Sequence, residues 1–423
     1  VRLRRGDPSI MNRKFYGPWI VFAAFITFGL STGLPYYNIS FFYDYFNRDF
    51  GWSREQITLG FPLAVALTLW TGPLLIHRFS PRRLILVGTF LTFCALAGFG
   101  LMPGMLGVYY LLWVVYTIGY FLSGPPPHQF IVSNWYKRNR GKAMAVVYVG
   151  VGVIGSLGSF LAKPLTEWFG YHMALVILGL MLFLAWPLVI FVMKDHPREM
   201  GQNPDGDPEP PAEQAVQPQS FRWLLSKPAF WLLLVGSVCS IGSIGAVNFH
   251  MKFVFLDQGF QPGPHADGAW RTASILILWS SIAGRLGMGY LADRFNKKWV
   301  MFITYFIVAA TIPLLLHVHP GQEIWLYIFA VMFGFGMGAD YMLIPLMAAE
   351  AFGVNTLPKA MSVILPADTI GQTWFPYVVS HLRTMLGSYD KALMVVLAIA
   401  MTGALAIALL PNTKALGEKN RVR

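Results

Sequence analysis

Arg285 stands in the run Ala273–Tyr290, a stretch that otherwise reads as lipid-soluble helix and ends in Asp293 and Arg294. A permanent cation in hydrocarbon costs roughly 2.5–3.5 kcal/mol on insertion scales, so it is expected to face a wet cavity and an anion. A planar fork of five donors suits a carboxylate bidentately, which a lysine does not. The chemistry expected here is the holding of a small carboxylate. The competing reading is internal pairing with Asp340 or Asp368, two acids set in other apolar runs. Those acids, with His250, are themselves candidates for moving a proton, because ionisable groups inside apolar helix are expensive and mark ion or proton paths. Tyr36, Tyr37, Tyr116, Tyr120, Tyr341 and Tyr377 offer hydroxyls on apolar walls, the mixture of few donors and many rings that a short organic acid wants. In a chain with 33 Phe and 14 Trp, most rings are nevertheless expected in packing or in the interfacial belt. Lys252 follows His250 by two residues, on a different helical face, and is expected to snorkel to the outer interface; an inward lysine would favour anion exchange.

The elements that must position these groups are membrane spans. Among 423 residues, 55% are hydrophobic and 12% charged, too few charges to coat soluble domains. A sliding window of about 19 residues finds roughly twelve apolar runs. They lie near 18–42, 56–76, 84–102, 106–132, 142–165, 172–193, 229–256, 269–291, 299–317, 323–347, 360–382 and 390–410. Most of the 32 lysines and arginines fall on one side of that arrangement, leaving Arg48, Arg54, Lys163, Arg271, Arg383 and Lys391 on the other. Positive charge is retained inside, so both termini are expected in the cytoplasm. The net charge of +12 is thereby accounted for without nucleic acid. Cys94 and Cys239 fall inside spans without metal-ligand spacing and read as small buried hydrophobes. No cleavable signal is expected, the basic start leading directly into a full-length span. No phosphate-binding loop, hydrolytic triad or metal cluster is present in the sequence pattern, so neither an enzyme nor a cofactor or metal is expected.

The expected organisation is a cytoplasmic segment 1–17, a six-helix bundle 18–193, a linker 194–227, a second six-helix bundle 228–410 and a cytoplasmic tail 411–423. The linker is rich in Pro, Gly and acidic residues, and is expected to be flexible. The halves repeat. His77–Arg82 after the second run matches Asp293–Lys298 after the eighth; Lys142-Ala143-Met144 matches Lys359-Ala360-Met361; Trp19, Ser31 and Gly33 match Trp231, Ser243 and Gly245. Near-constant offsets argue for duplication and a cleft between two similar bundles. Pro125-Pro126-Pro127-His128 is expected to bend the fourth span, and Gly150, Gly152, Gly155 and Gly158 to allow close packing in the fifth.

Gly289-Tyr290-Leu291-Ala292-Asp293-Arg294-Phe295-Asn296-Lys297-Lys298 resembles the loop signature of the major facilitator superfamily, with the intact copy here in the second half. The first copy carries His77 where the acid is expected. That resemblance implies a gating role for Asp293, Arg294 and Arg78. Phe15–Trp19, Asn134–Ala143, the linker segment His196–Gly206 and Ala283-Gly284-Arg285 look most like prokaryotic relatives of the proton-linked monocarboxylate transporters, with the oxalate/formate antiporter branch close by. In that superfamily the first, fourth, seventh and tenth spans line the cavity, which puts Asn38 and His250 near the substrate path. Where animal members carry an acid before the arginine and a lysine in the first span, this chain has Ser281 and Tyr36.

The expected protein is therefore an all-α integral membrane protein, twelve transmembrane helices in two pseudo-symmetric six-helix bundles of the major facilitator fold. Its expected work is secondary active transport of a lactate- or pyruvate-like monocarboxylate with a proton, by alternating access. Arg285, His250, Asn38, Tyr36, Tyr37, Tyr120 and Tyr341 would hold the substrate; His250, Asp340 and Asp368 would carry the proton. Exchange of small dicarboxylates is the alternative within transporters, and a non-transporting sensor on a carrier fold the alternative outside them. The expected setting is a prokaryotic inner membrane, with the substrate, protons and lipid as partners and a monomer as the functional unit.

Overall fold

The computed structural model describes residues 15–68, 79–207, 219–353 and 356–411. Arg78 and the side chain of Asp293 lie outside the described residues. Among those residues, nine helical segments are long and apolar enough to cross a bilayer. One of them, Arg140–Val192, has 53 residues. At 1.5 Å per residue it is far too long for a single crossing of a core about 30 Å thick. It breaks at Gly170, whose φ of 75° and ψ of 157° lie outside helix and suit a residue without a Cβ. The segment thus supplies two spans.

The helices, numbered as spans, are α1 (Gly17–Phe50), α2 (Arg54–Thr68), α3 (Pro81–Leu101), α4 (Leu106–Trp135), α5 (140–169), α6 (171–192), α7 (Pro228–Asp257), α8 (Pro264–Arg294), α9 (Lys297–Leu315), α10 (Glu323–Phe352), α11 (Leu357–Leu386) and α12 (Tyr389–Ala408). Packing repeats between the halves: α1 lies on α5 as α7 lies on α11, and α2 on α4 as α8 on α10. The two halves meet along α5–α8 and α2–α11. Twelve spans in two related bundles are what the apolar runs and internal repeat predict.

Two helices are interrupted where they face the centre. α1 loosens into a π turn at Gly29–Gly33 and tightens into a 3-10 turn at Ile39–Phe42. α4 breaks at Gly124, and Pro125 starts its second part, where a missing N–H costs nothing. His128 secures that break. Its Nδ1 lies 2.8 Å from the Gly124 carbonyl, which can only accept, so Nε2 is the acceptor for the Thr27 hydroxyl at 2.9 Å.

α8 and α10 approach unusually closely. A Cβ on Gly338 would stand 1.9 Å from the Ser281 carbonyl oxygen, and one on Gly284 2.0 Å from that of Phe335. No side chain fits there. Gly338→Ala should therefore force the helices apart and destabilise the fold by about 1–3 kcal/mol. Thermal unfolding in detergent measures this, and an unchanged transition would mean that the seam yields freely.

The linker departs from its expected flexibility over its first part. Asp195 accepts from the Ser80 hydroxyl and the Arg82 amide, and the Trp135 indole donates to the Lys194 carbonyl at 2.8 Å. Asp205 caps the start of α5, accepting the backbone N–H groups of Lys137, Arg138 and Asn139 at 2.8–3.1 Å. Partial burial alone would raise its carboxyl, but these donors outweigh that and hold it below the usual carboxylate range. Composition weighed the acids as solvated charge; each instead finds amide donors at a helix end.

Candidate functional site: a guanidinium among tyrosines

Arg285 is 9% exposed, at the middle of the α5–α8 seam. Its Nε donates to the Gly338 carbonyl at 3.3 Å, a bond permitted by the tight α8–α10 approach, and its Nη1 to the Tyr148 carbonyl of α5 at 2.5 Å. The guanidinium thus touches both halves. Among the described residues no carboxylate forms an ion pair with it. The groups within electrostatic reach are Tyr37, Tyr341 and Tyr148.

Around it stands a cage of rings. Tyr36 packs against Tyr37 at 5.2 Å, Phe249 at 5.6 Å and Tyr120 at 6.1 Å between centroids. Tyr341 receives a hydrogen bond from the Gln372 amide, and the Tyr148 hydroxyl one from Gln129 at 2.5 Å. The hydroxyls of Tyr36 and Tyr116 are buried without a partner. A buried hydroxyl without a partner costs about 1–3 kcal/mol, so the cage has polar capacity its own side chains do not use. The structure brings Arg285, Tyr36, Tyr37, Tyr120 and Tyr341 together.

Two other expected binding residues are elsewhere. Asn38 donates to the Leu34 and Gly155 carbonyls at 2.7 and 3.0 Å and accepts from Ser159 at 2.8 Å, so its amide is occupied at the α1–α5 contact. His250 points into the second bundle. Its Nε2 lies 2.6 Å from the Pro376 carbonyl and its Nδ1 2.8 Å from the Tyr389 hydroxyl, which together use both ring nitrogens of a neutral imidazole. Tyr148, Gln129 and Gln372 were missed in sequence, although each is a polar tip in an apolar run, the signal that marked the others.

Asp340 is fully buried and accepts from the Ser240 hydroxyl at 2.5 Å, with Tyr305 beside it. Asp368, 5% exposed, lies beside Ser237 and within reach of Asp340. One oxygen of each acid, Oδ1, has no hydrogen-bond partner, and neither acid is ion-paired to Arg285. The internal pairing considered for Arg285 is therefore not what the structure contains.

Lys252 corrects the sequence reading. It does not snorkel outward but is 2% exposed, with Nζ 2.7 Å from Asp44 Oδ1, 2.7 Å from Asp267 Oδ1 and 2.6 Å from the Phe41 carbonyl. Tyr45 donates to Asp267 at 2.5 Å. The reason lies in the helix ends. α1 continues to Phe50 and α8 begins at Pro264, so two acids outside the apolar runs are carried on helices that face α7. This cluster ties α1 to α7 and α8, on the face of the bundle opposite the linker. There Arg54 of α2 pairs with Asp257 of α7 at 2.8 Å, and Thr58 donates to Ser380 of α11 at 3.0 Å. That far face is closed by polar contacts between the halves. At the linker face Arg294 is exposed, lying 4.2 Å over the Tyr290 ring.

Two helical halves that repeat one another, latched at one face around a central guanidinium, define a multi-pass membrane carrier. The sequence pattern of the Major Facilitator Superfamily matches residues 20–364 and again 263–422, and the chain belongs to that superfamily. It is 27% identical over 328 residues to MFS transporter asaE of Aspergillus flavus, covering 75% of this chain and 69% of that protein. It is 27% identical over 337 residues to the fujikurins efflux protein of Gibberella fujikuroi, covering 75% of this chain and 65% of that protein. Similarity to monocarboxylate transporter 12 of Rattus norvegicus is 23% over 401 residues, 88% of this chain and 81% of that one. Among solved structures, a bacterial homolog of the human lysosomal transporter Spinster, inward-facing and unoccupied, superposes with a TM-score of 0.66 at 15% identity, covering 96% and 97% of the two chains.

Proposed function

We propose that this transporter carries small monocarboxylates of the lactate and pyruvate type together with a proton. The observation that carries the reading is Arg285, a buried guanidinium held by two backbone carbonyls and no acid, in a cage whose Tyr36 and Tyr116 hydroxyls have no partner. A carboxylate placed there gains a charge-assisted pair and rings for its short tail. Asp340 and Asp368 are better situated than His250 to take the proton, since each keeps a free oxygen whereas both imidazole nitrogens are bonded. Substrate and proton together add no net charge to the cavity, which favours closure around them. Arg294, with Arg78 and Asp293, would work the linker-face gate, and that face would be cytoplasmic. The chain would act as a monomer in a prokaryotic cell membrane.

Dicarboxylate exchange would want a second basic group free to meet the cavity, and Lys252, although inward, is engaged by Asp44 and Asp267. Export rather than uptake is favoured by a different observation, the similarity to a fujikurins efflux protein.

Proteoliposomes separate these readings. Labelled lactate uptake should rise several-fold with an inward proton gradient and lose that dependence in Asp340→Asn. Uptake indifferent to the gradient but dependent on an anion inside would refute symport.

A further inference from the structure

Lys163 of α5 and Arg271 of α8 line a cleft of about 510 Å³ at the seam between the halves, on the far face, together with Phe160, Thr272, Leu276 and Tyr327. That size is within the roughly 300–1,000 Å³ of small-molecule sites. Each cation crosses the seam. Lys163 Nζ lies 3.5 Å from where a Cβ on Gly268 would stand, and the Arg271 guanidinium sits 5.6 Å from the Phe160 ring centre. Arg271 has no ion pair among the described residues, and its Nε is buried without a hydrogen-bond partner. Of the acids nearby, Glu167 is 3.6 Å from Lys163 but 44% exposed, where such pairs contribute little, Glu323 accepts from the Tyr327 hydroxyl at 3.4 Å, and Asp267, one turn before Arg271, is engaged by Lys252. Trp168 and Phe169 are exposed within two turns, as rings at a membrane interface are.

We propose that this cleft binds the phosphate of an anionic glycerophospholipid, with Lys163 and Arg271 gripping the headgroup from opposite halves and an acyl chain lying along α8. The apolar wall selects a lipid over a soluble anion, for Phe160, Ile275 and Leu276 line the cleft beside the two cations. The consequence is conformational. A phosphate bridging the halves binds the state closed at the far face better than one in which they part, so the lipid favours that state.

Two basic residues at the surface of an anionic bilayer correspond to a preference of about 10- to 30-fold. The full chain should be reconstituted in phosphatidylcholine nanodiscs alone, with phosphatidylglycerol, or with free glycerol 3-phosphate, and its retained lipids counted by native mass spectrometry. Wild type should retain phosphatidylglycerol over phosphatidylcholine by that factor. Lys163→Gln/Arg271→Gln should retain both equally, while unfolding in phosphatidylcholine as wild type does; Lys163→Arg/Arg271→Lys should keep the preference. A double glutamine variant that still selects phosphatidylglycerol overturns the proposal. So does loss of the preference in free glycerol 3-phosphate, which would make the cleft a soluble-anion site.

Discussion

Arg285→Gln should reduce lactate uptake at least about thirtyfold while the protein still inserts and folds. Removing one partner of a buried, hydrogen-bonded charge pair costs about 2–5 kcal/mol, and 1.4 kcal/mol is tenfold in affinity. Here nothing else can take over, since no second unpaired cation lies in the cage among the described residues and the surrounding tyrosines offer only neutral donors. Arg285→Lys is the sharper variant. It keeps the charge, but one compact ammonium cannot serve the Gly338 carbonyl, the Tyr148 carbonyl and both carboxylate oxygens at once. Uptake should still fall more than tenfold. If either variant transports as wild type while its unfolding temperature drops, Arg285 is a strut between α5, α8 and α10, and the substrate is held elsewhere.

The fold was readable because hydrocarbon permits so few solutions. Runs of about twenty apolar residues have to be helices, and repeated motifs at near-constant offsets have to be related bundles. The centre was readable in part for the same reason. Arg285, Tyr36, Tyr37, Tyr120 and Tyr341 bear polar atoms where polar atoms are expensive, and they converge. That signal marks a costly group without saying what offsets its cost. Asn38 and His250 carry it too, yet backbone carbonyls and hydroxyls of neighbouring helices satisfy them, a matter of rotation about the helix axis that a single sequence leaves open. Helix ends were the least readable. Asp44 and Asp267 look like loop acids because hydropathy falls away before the helix does, and this hid the partners of Lys252. The linker misled by composition, since Asp195 and Asp205 are tied down by amides that no compositional measure sees.

Lys252→Met should destabilise the protein by about 3–5 kcal/mol, because it strands Asp44 and Asp267, each 2% exposed, without their cation. Much of that loss should be recovered in Lys252→Met/Asp44→Asn/Asp267→Asn, where no charge is left unpaired. Asp44→Asn alone tests the gate rather than the fold. Lys252 and Asp267 belong to the same half, so their pair survives when the halves separate, whereas Asp44 and the Phe41 carbonyl lie on the other side of the seam. Neutralising Asp44 therefore removes attraction only from the state closed at the far face, shifting the equilibrium toward opening there. In a background with Cys94 and Cys239 replaced by alanine, a reporter Thr58→Cys, now opposite Ser380 at the α2–α11 seam, should react several-fold faster with an impermeant maleimide when Asp44→Asn is added. Equal rates with and without the substitution would mean that the buried lysine cluster supports the helices but does not hold the far face shut.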